Sequence, residues 1–161
     1  MAESSVGSIH RLLSDPRLRE GLVGPAPSLG TLRDLLQTPP PDTRHFSLVS
    51  DSEGVCVGAL ILAVRQDRLR WGSFEIVIDP VHQRCGYARQ ALERVPGLLE
   101  GLFGVSLIKI GVFEDNTAAM ALYEALGYGP VERAWVFEPR RRRVVWMSND
   151  PQAFERRRIG F

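Results

Sequence analysis

The chain has 161 residues, of which 44% are apolar and 24% charged, and its formal net charge is +1. This length allows one complete hydrophobic core, and the composition is that of an ordinary globular protein, which excludes disorder and a fibrous architecture. The balanced charge gives nucleic-acid binding little electrostatic support, although seven arginines cluster at residues 140–143 and 156–158.

No segment predicts a membrane helix or a secretory signal. The longest apolar run, residues 55–64, is ten residues long, whereas a membrane-spanning helix needs about 20. Residues 1–5 carry an early acid and are followed by no long apolar stretch. The two cysteines, Cys56 and Cys85, are too few for a disulfide framework and lack metal-ligand spacing. We therefore expect a cytoplasmic protein without a metal site.

The first part of the chain, residues 1–41, is predicted to be helical. Ser14 or Asp15 can cap one short helix, and Thr31 can cap a second. Three prolines at 39–41 then favour an extended connector. We expect a single domain over residues 1–161, in which this part precedes a cofactor-binding core at 42–128 and C-terminal strands and a tail at 129–161.

The core is predicted to begin with a β-hairpin, since residues 45–49 alternate as a half-exposed strand and residues 51–54 supply a turn. Residues 55–64 are apolar at both odd and even positions, which indicates a strand covered by helices on both faces. A further strand is predicted at residues 69–79, where apolar side chains alternate with Glu75. This strand leads into the most informative part of the sequence.

Helices and strands alternate after this strand. A helical pattern begins at Gly86, and the Pro96-Gly97 pair predicts a kink or an early stop within it. A strand at 106–113, a helix at 116–126 and two strands at 133–138 and 143–148 complete the pattern, with the arginine run in the last hairpin loop. A helix between strands, twice over, indicates an α/β domain with a mixed sheet.

The first motif is the turn Gln83-Arg84-Cys85-Gly86-Tyr87-Ala88, which lies between a strand and a helix. A helix N-terminus leaves backbone N–H groups without partners and carries about half a positive charge, so that it binds anions. Gly86 allows close backbone approach, and the small Ala88 keeps the helix start accessible. The turn therefore predicts a pyrophosphate cradle, although a tight turn that needs glycine would give the same pattern.

The second motif runs from Asn116 to Tyr128 and reads Asn-x-x-Ala-x-x-Leu-Tyr-x-x-Leu-Gly-Tyr. On a helix, Asn116 and Tyr123 lie two turns apart on one stripe, about 10 Å along the axis, so that one ligand could contact both. The simpler alternative makes Asn116 a helix cap and Tyr123 part of the apolar face.

Together the two motifs resemble the GNAT superfamily of N-acetyltransferases, whose pyrophosphate loop reads Gln/Arg-x-x-Gly-x-Gly/Ala. The resemblance covers residues 74–128, about a third of the chain. It implies a mixed, mostly antiparallel central sheet flanked by helices on both faces, and acetyl-CoA as co-substrate. The implied cofactor-binding residues are Val77, Ile78, Gln83, Arg84, Cys85, Gly86, Tyr87, Ala88 and Asn116.

The implied reaction is direct attack of a substrate amine on the thioester, with Tyr123 as general acid for the leaving thiolate. Backbone N–H groups around Val77 and Ile78 would polarise the thioester carbonyl and hold the pantetheine arm. Neutralising a lysine-like amine with a pKa of about 10.4 costs about 4–5 kcal/mol at pH 7, whereas an N-terminal amine with a pKa near 8 costs about 1 kcal/mol. The acceptor therefore decides how strong the base must be.

The sequence leaves the base open. Glu75 lies on the strand where some family members carry a catalytic glutamate, but its spacing to Gln83 would put the usual acid nearer Gly72. His82 and a chain of water molecules are the alternatives.

The predicted function is an N-acetyltransferase that acts on a primary amine of a small molecule or a protein N-terminus. The alternative is a non-catalytic acyl-CoA-binding module with the same fold. A dinucleotide-binding domain is disfavoured because no Gly-x-Gly-x-x-Gly follows a strand. The resemblance permits a homodimer through the C-terminal strands, and the sequence identifies neither the acceptor amine nor the oligomeric state.

Overall fold

The computed structural model describes residues 3–22, 26–50, 52, 54–137 and 140–156. In this part of the chain, six α-helices, a short 3-10 helix at Pro80–His82 and six strands are formed. The helices are α1 Glu3–Ser14, α2 Pro16–Arg19, α3 Leu29–Gln37, α4 Tyr87–Phe103, α5 Thr117–Ala125 and α6 Pro151–Glu155. The strands are β1 Thr43–Val49, β2 Cys56–Gln66, β3 Arg70–Ile78, β4 Lys109–Phe113, β5 Gly129–Val136 and β6 Arg142–Ser148.

The strands make two antiparallel sheets, with the strand orders β1-β2-β3 and β4-β6-β5. A parallel bridge between Gly72 and Ile108 joins the sheets, and there the Gly72 N–H donates to the carbonyl of Leu107 at 2.8 Å. Beyond this bridge β3 and β4 are no longer paired with each other among the described residues, so their facing edges diverge. The predicted mixed, mostly antiparallel sheet with helices on both faces is confirmed.

Helices cover both faces of the sheets, and two apolar clusters form the core. The larger cluster lies beneath α4 and α5; its buried members include Leu62, Phe74, Leu92, Val95, Leu99, Ile108, Ile110, Val112, Val145 and Met147. The smaller cluster lies beneath α1 and α3; its buried members include Ile9, Leu12, Leu32, Ala59 and Val77. Neighbouring residues of a strand point to opposite faces, and so Ile76 packs against the first cluster and Val77 belongs to the second.

Of the two outcomes expected at Pro96-Gly97, helix α4 excludes the early stop, because it continues to Phe103 with Pro96 inside it. An interior proline costs about 3 kcal/mol. The buried stripe of Leu92, Val95 and Leu99 stabilises the helix through its tertiary packing and offsets this cost. The helix ends instead at Gly104, whose φ of 64° is the left-handed conformation of a C-terminal cap.

The N-terminal part also differs in detail from the sequence prediction. The 12-residue helix α1 was not predicted as a unit. Asp15, one of the two residues expected to cap a helix here, caps α2. The prediction that Thr31 caps α3 is wrong, because the Ser28 hydroxyl oxygen accepts from the Thr31 N–H at 3.0 Å and the cap therefore lies three residues earlier.

Strand β5 begins four residues before the predicted position, because its pairing with β6 already starts at Gly129. Arg142 and Arg143, expected in a loop or at a strand start, belong to β6. Parts of three predictions lie outside the described residues: the turn positions 51 and 53, the strand end at 138, and arginines 157 and 158. The division of the chain within one domain stays a prediction. Within the described residues, no helix has the length and apolarity to cross a membrane.

Candidate active site

A cleft of about 710 Å³ opens between β3 and β4, where the two sheets diverge. A second cavity of about 230 Å³ lies toward the N-terminus of α4. The two cavities share the lining residues Ile78, Gln83, Arg84, Ala88 and Leu122. The predicted turn, the end of β3 and helix α5 therefore border one continuous space.

The edge of β3 offers backbone N–H groups to this cleft. The N–H of Gly72 points toward β4, whereas the N–H of Asp79 donates to β2. Because N–H groups alternate between the two sides of a strand, those of Ile76 and Ile78 face the cleft, and that of Val77 faces β2. The side chain of Val77 lines the cleft, but Ile76, which the sequence analysis missed, supplies the second amide.

The turn at residues 83–88 has the backbone geometry of an anion site. Gly86 has a φ of 83°, and Arg84 has a φ of 61°, which for a side chain larger than glycine costs about 1–2 kcal/mol. In the described part of the chain, no hydrogen bond is formed by the amides of residues 85–89, and the first bonded amide is that of Gln90, which donates to Gly86. Unpartnered amides at a helix N-terminus are the donor set that a phosphate requires.

The side chains of the turn have different roles. Gln83 Nε2 donates to the last carbonyl of β3 at 3.1 Å and so fastens the turn to the strand. The Arg84 side chain lines both cavities. The thiol of Cys85 is exposed and contacts the Gln83 carbonyl at 3.5 Å. The Tyr87 hydroxyl donates to the buried Ser50 hydroxyl at 3.2 Å. Arg84 is therefore the side chain of this turn best suited to contact an anion.

Asn116 combines the two alternatives left by the sequence. Its Oδ1 accepts from the Ala119 N–H at 3.2 Å, which makes it the N-cap of α5. Its Nδ2 is directed toward Gly21, where an added Cβ would lie 3.6 Å away, and both residues line the cleft. Asn116 can therefore cap the helix and contact a ligand at the same time.

Tyr123 lines the cleft two helical turns after Asn116. Its ring packs edge to face against Phe74 and Tyr128, with centroids 5.6 Å and 6.3 Å away. Burial, reinforced by the neighbouring Tyr128 and Glu75, raises the pKa of the Tyr123 phenol to about 12. The hydroxyl is held in place and keeps its proton at physiological pH.

Glu75 lies on the face of the sheet opposite Tyr123's helix, since its neighbours Phe74 and Ile76 both pack beneath α4 and α5. Part of its side chain reaches solvent, yet burial raises the pKa of the Glu75 carboxyl, an effect that the guanidinium groups of Arg19 and Arg65 oppose. The charge of Glu75 in turn acts on Tyr123. Tyr123 lines the cleft, whereas Glu75 is not among the residues that line it.

Two further positions bear on the choice of the base, Gly72 and His82. Gly72, the position suggested by spacing, forms the bridge to β4 and carries no side chain. A Cβ there would lie 2.7 Å from Leu99 Cδ1, so a larger residue would displace the Leu99 side chain. The ring of His82 packs against Tyr87 at 6.3 Å, beside the turn.

The sequence analysis also missed the residues that close the cleft on the side of α2. Arg142 donates from Nε and Nη2 to the two carboxylate oxygens of Asp115, and from Nη1 to the Glu20 carbonyl. Its guanidinium stacks on Phe113 at 3.5 Å. The arginine run gave no signal for this arrangement, because a hairpin tip of solvated arginines has the same sequence.

A comparison with protein families decides the affiliation of the chain. The family model described as the Acetyltransferase (GNAT) family matches residues 8–128. The chain belongs to this family. The match covers most of the cleft, the turn at residues 83–88 and helix α5, and it extends the resemblance of the two motifs to most of the chain.

Individual relatives match only part of the chain or have low sequence identity to it. The [Ribosomal protein bS18]-alanine N-acetyltransferase of Escherichia coli strain K12 is 44% identical over 55 residues, which are 34% of this chain and 36% of that protein. The chain thus matches only about a third of the length of the curated relatives. The structure resembles a Vibrio cholerae spermidine N-acetyltransferase in complex with CoA and spermine, with 20% identity, a TM-score of 0.77 and coverage of 92% and 90%. It also resembles the Escherichia coli ribosomal-protein-S18-alanine N-acetyltransferase, with 22% sequence identity and a TM-score of 0.66. This similarity covers 92% of the present chain and 88% of that protein.

The donor set of the site fits acetyl-CoA. The cleft-facing amides of β3 can pair with the amide groups of a pantetheine arm, and the free amides of the turn can receive a pyrophosphate. Within the described ranges, no group of three or more His, Cys, Asp or Glu side chains is arranged to hold a metal ion.

Proposed function

We propose that the chain is an acetyl-CoA-dependent N-acetyltransferase that acts on a primary amine. The observation that carries this proposal is the split sheet: two adjoining cavities are bordered by amides of β3, free amides at the start of α4 and a half-buried phenol on α5. Acetyl-CoA, when bound, supplies an activated acyl thioester. The residues of the chain bind it, orient it and manage two protons.

The amides of Ile76 and Ile78 orient the donor. They lie on the free edge of β3, so that an extended arm carrying its own amides can lie along them as an added strand does. A carbonyl held against such an amide is polarised, which favours attack by a nucleophile. The turn at residues 83–88 fixes the far end of the arm through its amides and through Arg84.

Tyr123 stabilises the leaving thiolate chiefly by donating a hydrogen bond. With a pKa of about 12, its phenol holds its proton more firmly than a thiol with an ordinary pKa of about 8.5, and complete transfer is unfavourable by roughly 5 kcal/mol. A short, charge-assisted hydrogen bond to sulfur requires no such transfer. We therefore assign Tyr123 as the donor of a hydrogen bond to sulfur. The sulfur leaves as a thiolate, the amine's proton goes to the base, and the thiolate takes its proton from solvent after release.

Glu75 is the best-placed base. It lies on the α1 and α3 face of β3, whereas Tyr123 packs on the α4 and α5 face. An amine that approaches the thioester from the first face would meet the carboxylate while the thiolate leaves toward Tyr123. Burial raises the pKa of Glu75, which brings the carboxylate nearer to the pKa that a general base needs at neutral pH. A water molecule between Glu75 and the amine would extend its reach.

The acceptor is a primary amine of a small molecule or of a protein N-terminus. The two groups of named relatives acetylate one of each kind, a polyamine and the alanine of a ribosomal protein. The cytoplasmic location and a homodimer through the C-terminal strands stay predictions.

The test is the release of free CoA thiol from acetyl-CoA in the presence of a panel of primary amines. Thiol release that depends on both the amine and the protein supports the proposal. Binding of acetyl-CoA without release on any amine would favour the alternative, a non-catalytic acyl-CoA-binding module. Failure to bind acetyl-CoA would contradict both.

A further inference from the structure

Lys109 is the single lysine of the sequence, in a chain with 20 Lys and Arg residues in total. Its ammonium lies over three aromatic rings, those of Trp71 at 5.6 Å, Trp146 at 5.1 Å and Phe154 at 5.1 Å. Nζ also donates to Glu132 Oε1 at 3.0 Å, and 14% of the Lys109 side chain is exposed. These groups form an aromatic cage that holds a cation of the chain itself.

The cage lies on the face of the sheet where the acceptor would approach. Ile110 and Val112 belong to the cluster beneath α4 and α5, so Lys109 and Gly111 point to the opposite face, which is also the face of Glu75. Gly111 is exposed there and lines the cleft.

The bridge between Gly72 and Ile108 fixes the position of the cage along the strands. It aligns Lys109 with residue 73 and Gly111 with Glu75. Two residues of strand, about 7 Å, therefore separate the backbone level of Glu75 from that of Lys109, the residue that carries the caged ammonium. The cage stands at the closed end of the gap, and Glu75 stands nearer its open end.

This spacing is on the scale of the distance between neighbouring nitrogens of a diamine or polyamine. An acceptor whose reactive nitrogen is at Glu75 would bring a second ammonium toward the rings and toward Glu132. Three aromatic faces and a carboxylate form a site that suits an ammonium, and Lys109 already fills it. A compact ammonium fits between three rings, whereas a planar guanidinium requires stacking on one of them.

We infer that Lys109 is a specificity-determining residue, whose ammonium fills the cage beside the acceptor site and excludes acceptors that carry a second ammonium at this spacing. This inference rests on the proposed function. It gives the acceptor a class: an amine whose neighbouring substituent is neutral or anionic. The chain would then differ in substrate from the spermidine N-acetyltransferases whose fold it shares.

The experiment compares 1,4-diaminobutane with n-pentylamine, two amines of equal chain length that differ in one terminal ammonium. The wild-type protein is expected to use n-pentylamine with a kcat/KM at least tenfold above that for the diamine. Lys109→Ala empties the cage and should shift this ratio at least tenfold toward the diamine, about 1.4 kcal/mol. Glu132→Gln is the matched control, because it removes the ion pair but leaves the cage filled, and its ratio should still favour n-pentylamine.

A second readout does not depend on turnover. Two of the three tryptophans line the cage, so binding of the diamine to Lys109→Ala in a Trp135→Phe background should change tryptophan emission saturably, while the protein that retains Lys109 shows no such change. If Lys109→Ala fails to fold, Lys109→Gln serves in its place. Unchanged ratios and emission would overturn the inference and leave the proposed function intact, whereas a lack of acetylation of any amine by wild-type protein would count against the function itself.

Discussion

Arg142 and Asp115 form a two-pronged ion pair at the rim of the cleft, with Nε–Oδ2 and Nη2–Oδ1 distances of 3.1 Å and 2.5 Å. The Asp115 carboxylate precedes α5, and Arg142 also holds the backbone of Glu20. The pair therefore connects three parts of the chain around the place where Asn116 faces Gly21.

Arg142→Ala is expected to loosen this rim. The Arg142 side chain is only 13% exposed, and the loss of its charge-assisted hydrogen bonds should lower stability by about 2 kcal/mol, which corresponds to roughly 4–8 °C in Tm. The KM for acetyl-CoA should rise as the segment around Gly21 moves away from Asn116. Arg140→Ala is the control, because Arg140 is 62% exposed and 4.0 Å from its acidic partner, so its Tm should change little. Equal effects of the two substitutions would contradict the role of Arg142.

Tyr123→Phe is expected to lower kcat at least tenfold and to leave the Kd for acetyl-CoA nearly unchanged, since the ring packing remains and only the hydroxyl is lost. Tyr128→Phe is a matched control. The phenol of Tyr128 is also buried and burial raises its pKa to about 12, but this residue does not line the described cleft. Steady-state kinetics measures kcat, and calorimetry measures the Kd for acetyl-CoA, for both variants. Near-wild-type turnover by Tyr123→Phe would rule out the assignment.

The value of kcat/KM should rise with pH. Deprotonation of Tyr123 should cause no decrease in kcat/KM up to about pH 10. Glu75 must be ionised to act as a base, so activity rises through its raised pKa, whereas Tyr123 must be protonated and loses its proton only near pH 12. Glu75→Gln should remove the rise assigned to the carboxylate. The loss should be larger for a lysine-like amine than for an N-terminal amine, because the former has the greater deprotonation cost. A profile unchanged by Glu75→Gln would exclude Glu75 as the base.

Gly86→Ala should weaken CoA binding at least tenfold and destabilise the protein by about 1–2 kcal/mol, because an alanine at a φ of 83° is strained. Pantetheine, which lacks the pyrophosphate, should lose much less affinity. Gly97→Ala is the control within the same helix: nothing lies within 4 Å of an added Cβ there, and the helix should gain stability. Calorimetry with both ligands measures the difference, and equal losses for CoA and pantetheine would argue against a phosphate site.

Asp79→Asn should lower the free energy of unfolding by about 1 kcal/mol at pH 7, because Arg11 is 60% exposed and its ion pair is screened. Burial alone would raise the pKa of Asp79, but hydrogen bonds from the Val81 N–H and from Arg11 outweigh it, and the net pKa is lowered. The wild-type carboxylate therefore stabilises the fold above about pH 4, and this contribution is lost as the pH falls through the lowered pKa. Urea unfolding at pH 7 and pH 3 should show the variant's deficit shrink in acid. A constant deficit would mean that the charge of Asp79 does not matter.

The donor half of the site could be predicted from the sequence because its requirements are local. A turn that needs glycine and free amides, followed by a helix with Asn116 and Tyr123 two turns apart, has a readable spacing. The sequence could not predict whether the amide of Ile76 or that of Val77 faces the cleft, since the direction of each amide depends on which edge of β3 is paired. Arg142 and Lys109 were missed because their partners lie on other elements, and residue type alone does not distinguish a caged or ion-paired side chain from a solvated one.

The early stop expected as one alternative at Pro96-Gly97 is absent for a similar physical reason. Local propensity disfavours a helix at these two residues, but propensity is a weak term when a stripe such as Leu92, Val95 and Leu99 is buried against a sheet. The cap of α3 was predicted at Thr31 and lies at Ser28. Both are good capping residues, and their hydroxyls contact each other at 2.8 Å, so that residue type alone does not distinguish them.

The single bridge at Gly72 and Ile108 also sets how the amide protons of β3 exchange with solvent. Those that point to β2 are held in a ladder, while those of Ile76 and Ile78 face an open edge and should exchange quickly in the free protein. A donor lying along this edge would protect only every second residue of the strand. Hydrogen-exchange measurements would then record acetyl-CoA as a footprint with a period of two, and so reveal which edge it occupies without a structure of the complex.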